Sequence, residues 1–105
     1  MKPKQTPIPS QREYTLRQSI IALLHHNPLT AREISEQVGV TEREVYTHLV
    51  HIRQSLHREA TRLCVLPAEC RGCGFMFTKR DRLKRPGRCP LCRGQSISQP
   101  RYLIE

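Results

Sequence analysis

The chain has 105 residues, 37% hydrophobic and 5% aromatic, with no Trp, so a segment of roughly 35 residues could not fill a core without some other staple. No apolar run approaches the ~20 residues that cross a bilayer, and the start MKPKQTPIPS lacks the hydrophobic stretch of a secretory signal. A cytoplasmic location is therefore expected, where clustered thiols stay reduced and favour metal over disulfides.

The net charge of +9 is unevenly spread. Residues 1–12 carry Lys2, Lys4 and Arg12; residues 13–62 balance six Arg against six Glu; residues 63–105 hold nine Lys/Arg against Glu69, Asp81 and Glu105. Positive ends around a neutral middle suit a polyanionic partner, most often nucleic acid.

In chain order, residues 1–9 are Pro-rich and polar and read as a disordered tail. Ser10-Gln11-Arg12-Glu13 is a capping-box pattern that opens a helix with Leu16, Ile20, Leu23 and Leu24 on one face. Asn27-Pro28 stops it. Thr30-Ala31-Arg32-Glu33 opens a short second helix with Ile34 and Val38 inward, and Gly39 is placed to end it in the left-handed conformation. Thr41-Glu42-Arg43-Glu44 opens a longer third helix whose Val45, Leu49, Ile52 and Leu56 repeat at helical spacing.

After Ala60 the period changes. Leu63-Cys64-Val65-Leu66, closed by Pro67, and Arg101–Ile104, following Pro100, both read as strands. The domain reading is a tail over 1–9, a helical unit over 10–62 and a cysteine-bearing unit over 63–105, giving an α+β fold.

Cys70-Arg71-Gly72-Cys73 and Cys89-Pro90-Leu91-Cys92 are separated by fifteen residues. Two residues between cysteines let both sulfurs of a tight turn reach one ion, and a second such turn opposite completes a tetrahedron. One structural Zn²⁺ on Cys70, Cys73, Cys89 and Cys92 is the expectation; iron in the same cage stays open, since tetrahedral S₄ suits both. Redox dithiol chemistry lacks its βαβ context, and four cysteines leave no position for a catalytic water. Gly74 and Gly94, just past each pair, are expected at positive φ. The apolar residues of this unit are Phe75, Met76, Phe77, Leu83, Leu91 and Ile97, few enough that metal binding would supply most of its folding free energy. Cys64 is expected as a buried, reduced thiol.

Thr30 to His57 fits a helix-turn-helix, whose second helix would present Thr41, Glu42, Arg43, Tyr46 and Thr47 to the DNA major groove. Glu42 and Glu44 in its first turn repel phosphates, unless Glu44 is taken up in capping. The missing charge lies between the two Cys pairs, where Lys79, Arg80, Arg82, Lys84, Arg85 and Arg88 face Asp81 alone. Those residues are expected on phosphates. His48 and His51 stand at i, i+3 without a cysteine or carboxylate to complete a second metal site and read as ordinary exposed residues. No nucleophile elbow, phosphate-cradling glycine loop or paired-acid motif is present, so an enzyme is not expected.

The stretches Leu29–Leu49, Pro67–Phe77 and Arg88–Arg93 resemble a family of predicted prokaryotic transcriptional regulators in which a helix-turn-helix is fused to a zinc ribbon. The resemblance implies a winged-helix-like domain with the ribbon projecting from the wing position, and Leu63–Leu66 paired with Arg101–Ile104 at its base. The function so implied is a DNA-binding regulator acting on double-stranded DNA, with homodimerisation open and no small-molecule substrate. An RNA- or ribosome-associated factor is the alternative, as is an adaptor that docks through the ribbon, favoured if Phe75, Met76 and Phe77 are exposed.

Overall fold

The computed structural model describes residues 11–56, 60–78 and 82–105. The tail, the Ser10 cap, Lys79 and Arg80 lie outside the described residues. Three helices come first: α1 (Gln11–His26), α2 (Ala31–Val38) and α3 (Glu42–Leu56); two strands follow, β1 (Leu63–Leu66) and β2 (Arg101–Ile104). Among the described residues no helix is long and apolar enough to cross a membrane.

The helix starts are held as the sequence patterns require. At α2 the Thr30 hydroxyl accepts from the Glu33 amide at 3.1 Å, and the Thr30 amide donates to the Glu33 carboxylate at 2.9 Å. At α3 the Glu44 amide donates to Thr41 Oγ1 at 3.1 Å and the Thr41 amide to Glu44 Oε2 at 3.2 Å. Each reciprocal pair satisfies two otherwise orphaned donors of a first turn. Gly39 ends α2 at φ 74°, with its amide on the Ser35 carbonyl at 2.9 Å.

One side of each helix then closes on a common core. Ile20 and Leu24 of α1, Ile34 of α2, and Val45, Leu49, Ile52 and Leu56 of α3 are buried together. Leu16, Leu23 and Val38, also expected inward, are only half-buried; they sit at the edge of a stripe that three short helices cannot cover fully. His48 departs from the exposed placement expected of it. It is buried, and its Nδ1 accepts from Arg17 Nε at 3.1 Å, tying α1 to α3.

The strands pair antiparallel with Leu63 opposite Ile104 and Leu66 opposite Arg101. Tyr102 and Ile104 alternate inward from β2 and join the helical core with Leu63. A third segment flanks β2: Leu29, in the α1–α2 connection, exchanges both backbone hydrogen bonds with Tyr102, at 3.1 and 2.8 Å. Residues 67–100 thus leave the sheet at Leu66 and return to it at Arg101, forming an insertion between two paired strands.

Cys64 is half-buried rather than buried. It points to the opposite side of the two-stranded sheet from Leu63, and its Sγ lies 3.8 Å from the Glu105 carboxylate. Partial burial and the Glu105 charge both push this thiol up, which keeps it protonated and unreactive.

Candidate metal centre and nucleic-acid face

The insertion folds around two turns that repeat one another. In the first, the Gly74 amide donates to the Cys70 carbonyl and the Cys70 amide to the Phe75 carbonyl, both at 2.8 Å. In the second, the Arg93 amide donates to the Cys89 carbonyl at 2.8 Å and the Cys89 amide to the Gly94 carbonyl at 2.9 Å. The residue just after the second cysteine must turn left-handed to close each loop: Gly74 at φ 82° and Arg93 at φ 64°. The expectation that Gly94 takes positive φ is therefore corrected. Its lack of a side chain serves another end, because a Cβ there would sit 3.2 Å from Cys92 Sγ, to which its amide donates at 3.4 Å.

All four sulfurs lie within 4.8 Å of one another. Cys70 and Cys92 approach to 3.5 Å and Cys73 and Cys89 to 3.6 Å, a little under the spacing of about 3.8 Å that a tetrahedron with Zn–S near 2.3 Å requires. The first cysteine of each pair is buried and the second exposed. Backbone amides aim at the sulfurs: those of Leu91 and Cys92 reach Cys89 Sγ at 3.4 and 3.5 Å. At Cys70 the amide of Cys73 is the leading influence and lowers the thiol. At Cys89 burial works upward, but the Cys92 and Leu91 amides and the neighbouring thiols outweigh it and bring it to about 7. At Cys73 the Phe75 amide works downward, yet burial and the surrounding sulfurs push it to about 12. Four thiolates so close cannot all ionise without a cation among them. The donor set therefore fits one tetrahedral divalent ion with a closed coordination sphere.

Little else holds this unit together. Its buried cluster is Ala68, Cys70, Cys89 and Ile97; Phe75 and Phe77 pack against it and meet each other edge to face, ring centroids 5.0 Å apart. Three extended segments meet through Phe77–Ala68, Arg71–Ser96 and Ser98–Glu69 backbone bonds at 2.8–3.0 Å. Of the other apolar residues expected here, Met76 and Leu91 are 45% and 71% exposed. Leu83 is buried, but in the helical core.

That placement of Leu83 bends the basic loop back onto α3. The buried Tyr102 hydroxyl donates to the Leu83 carbonyl. Lys84 Nζ stands 6.0 Å from the centre of the Tyr46 ring, and the Tyr46 hydroxyl meets that of Tyr102 and the backbone of Arg85. Burial and the Glu42 charge raise the Tyr46 phenol, so it stays neutral. Tyr46, read from sequence as a DNA contact, is thus half-buried as a strut under the loop. Thr41, Arg43 and Thr47 are exposed, as are Arg82, Lys84, Arg85 and Arg88. Thr41 is occupied in the α3 cap, together with Glu44, and the Thr47 hydroxyl donates back to the Arg43 carbonyl at 3.3 Å.

A groove of about 590 Å³ runs between the exposed side of α3 and the loop, bordered by Arg43, Thr47 and Arg53 on one bank and Arg82, Lys84 and Arg85 on the other. No acidic residue among those described lines it. Sequence reasoning missed Arg53; helical spacing from Arg43 through Tyr46 and Val50 would have found it.

Residues 15–64 match the family model described as PF0610-like, N-terminal, and residues 67–105 that of the PF0610 rubredoxin-like zinc β-ribbon domain. The chain is similar to the solution structure of protein PF0610 from Pyrococcus furiosus, with 28% identity, 98% of each chain covered and a TM-score of 0.72. Among curated proteins none matches it. Geometry and family agree on the cofactor, which is one structural zinc ion on Cys70, Cys73, Cys89 and Cys92.

Proposed function

With a PF0610-like N-terminal domain joined to a PF0610 rubredoxin-like zinc β-ribbon domain, the chain carries both parts of one family's architecture, and from that premise we propose that it is a non-enzymatic, DNA-binding transcriptional regulator. The observation that carries the reading is the groove that unites α3 with the basic loop. Residues far apart in sequence form one cationic surface there, with Arg43 and Thr47 beside Arg82, Lys84 and Arg85. In this reading α2 and α3 are the helix-turn-helix, and the β1–β2 pair with Leu29 stands where the sheet of a winged helix would be. The ribbon replaces the tip of the wing.

The helix lies along the major groove with Arg43 and Thr47 toward base edges. The ribbon loop neutralises phosphates from the side. Glu44 opposes this less than its charge suggests, because its carboxylate caps the Thr41 amide at the positive start of α3; Glu42 stays exposed beside it. Zinc acts only by holding the loop in place, and no arrangement among the described residues calls for a reaction. A cytoplasmic site and contact with duplex DNA belong to the same proposal.

An adaptor role has one observation in its favour, the exposed Met76 and Leu91 on the ribbon. The packing of Phe75 and Phe77 against the ribbon core counts against it. The test is binding of zinc-loaded protein to duplex DNA, structured RNA and single strands across a range of salt. Duplex DNA is expected to bind tightest, and the combined change R82A/K84A/R85A to flatten the salt slope by about 2.7. Preference for RNA, or an unchanged affinity and slope in the triple variant, would end this reading.

A further inference from the structure

A second cavity, of about 280 Å³, opens where the helical unit meets the ribbon. Leu63 and Val65 of β1 and Phe77 of the ribbon form its apolar wall; Arg53, Arg82 and Lys84 supply its charge. No acidic residue among those described lines it. Leu63 and Val65 share one side of the strand, yet Leu63 is buried in the core and Val65 is 38% exposed. The same three cations also border the groove beside α3. The loop segment around Arg82 and Lys84 is therefore a partition between two cavities, with its charges within reach of both.

From this juxtaposition we infer an effector site for a small organic anion, a carboxylate on a compact apolar body, whose occupancy opposes nucleic-acid binding. The size is at the low end for ligand pockets, which limits the occupant to about a single ring or a short chain. The apolar wall gives the ligand body cover that water cannot, and the cations take its carboxylate. Two anions drawing on the same three cations must compete. The coupling is reciprocal, so each ligand lowers the affinity of the other by one common factor. The coupling rests on the DNA-binding reading above; the site itself does not.

The experiment is an amide-shift titration of the full zinc-loaded chain with benzoate, alongside benzyl alcohol and inorganic phosphate. Benzoate is expected to shift the Val65, Ala68, Phe77 and Thr78 amides saturably, with a Kd on the order of 1 mM. Arg82→Gln, at an exposed position that leaves the fold intact, should weaken it by about five-fold, and Val65→Glu should abolish it. Benzyl alcohol and phosphate should each bind far more weakly. The site is overturned by an absence of saturable shifts, by equal binding of benzyl alcohol or phosphate, or by an unchanged affinity in the Arg82 variant. A second arm measures duplex binding with and without saturating benzoate. Weaker DNA binding, matched by weaker benzoate binding on DNA, supports the coupling; unchanged DNA affinity with benzoate bound overturns it. A protein that binds benzoate but no nucleic acid would overturn the functional reading and the coupling, leaving the site standing.

Discussion

The two halves of this molecule reach stability by different means. Among the described residues, the helical core buries twelve side chains in one cluster, from Ile20 of α1 to Ile104 of β2, with Leu83 of the insertion among them. The ribbon's own cluster holds four, and two of those are metal ligands. That helical core is the larger apolar store, at about 1.5–3 kcal/mol for each large side chain. Ala68 and Ile97, with two half-covered rings, bury far less apolar surface for the nearly forty residues they must order. The ribbon therefore depends on its metal to fold far more than the helices do.

The largest effect follows from that contrast. Cys89→Ser, or removal of zinc by a strong chelator under reducing conditions, should take away most of the roughly 10–16 kcal/mol that such a metal supplies. Hydrogen exchange is expected to show Cys70, Phe77 and Ser98 amides unprotected while those of α1 and α3 remain slow. Continued protection in the ribbon would erase the distinction between the halves.

Two leucines of the insertion sharpen the comparison. Leu83→Ala is expected to cost about 2–5 kcal/mol in thermal or denaturant unfolding of the helical half, because the side chain belongs to that core. Leu91→Ala, in the same insertion but 71% exposed, should change stability by less than about 0.5 kcal/mol. Equal effects would mean that the loop is not keyed into the helices.

A smaller effect belongs to the second metal turn. Arg93 holds φ 64°, which an L side chain occupies at a cost of roughly 1–2 kcal/mol. Arg93→Gly should therefore stabilise the zinc-bound ribbon by up to about 1 kcal/mol, read as slower metal release to a chelator. Faster release would show that the arginine side chain contributes more than its backbone costs.

The smallest effect concerns pH in the helical half. Burial lowers the His48 imidazole below its ordinary range, and Arg17 adds to this against the opposing charges of Glu13 and Glu44. The folded chain keeps Nδ1 free to accept from Arg17, while the unfolded chain takes up a proton near pH 6.5. Stability from this residue is present above that pH and declines as pH falls below it. His48→Gln should flatten the decline in helical unfolding monitored from pH 7 to 5; a profile as steep as the parent's would assign the acid sensitivity elsewhere.

The metal ligands and the starts of α2 and α3 were legible from sequence because each depends on residues two or three positions apart. Cys-x-x-Cys and Thr-x-x-Glu state their geometry locally. The same local logic located β1 and β2, bounded by Pro67 and Pro100. It failed at Gly94, where two demands look alike in sequence: a left-handed turn and room for a sulfur both call for glycine. It failed also at Cys64 and His48, since burial depends on which layers happen to cover a position.

Sequence by itself thus determined that there are three helices, two strands and a four-sulfur site, because hydrophobic period, capping and ligand spacing act over one or two turns of chain. Only the tertiary structure decided that Leu83 enters the helical core while Leu91 faces water. That choice is made by Tyr102, nineteen residues beyond Leu83, whose buried hydroxyl must find an acceptor and takes the Leu83 carbonyl. The loop's charges come to lie beside Arg43 and Arg53 for the same reason. A contact between residues distant along the chain leaves no periodic trace in either of them.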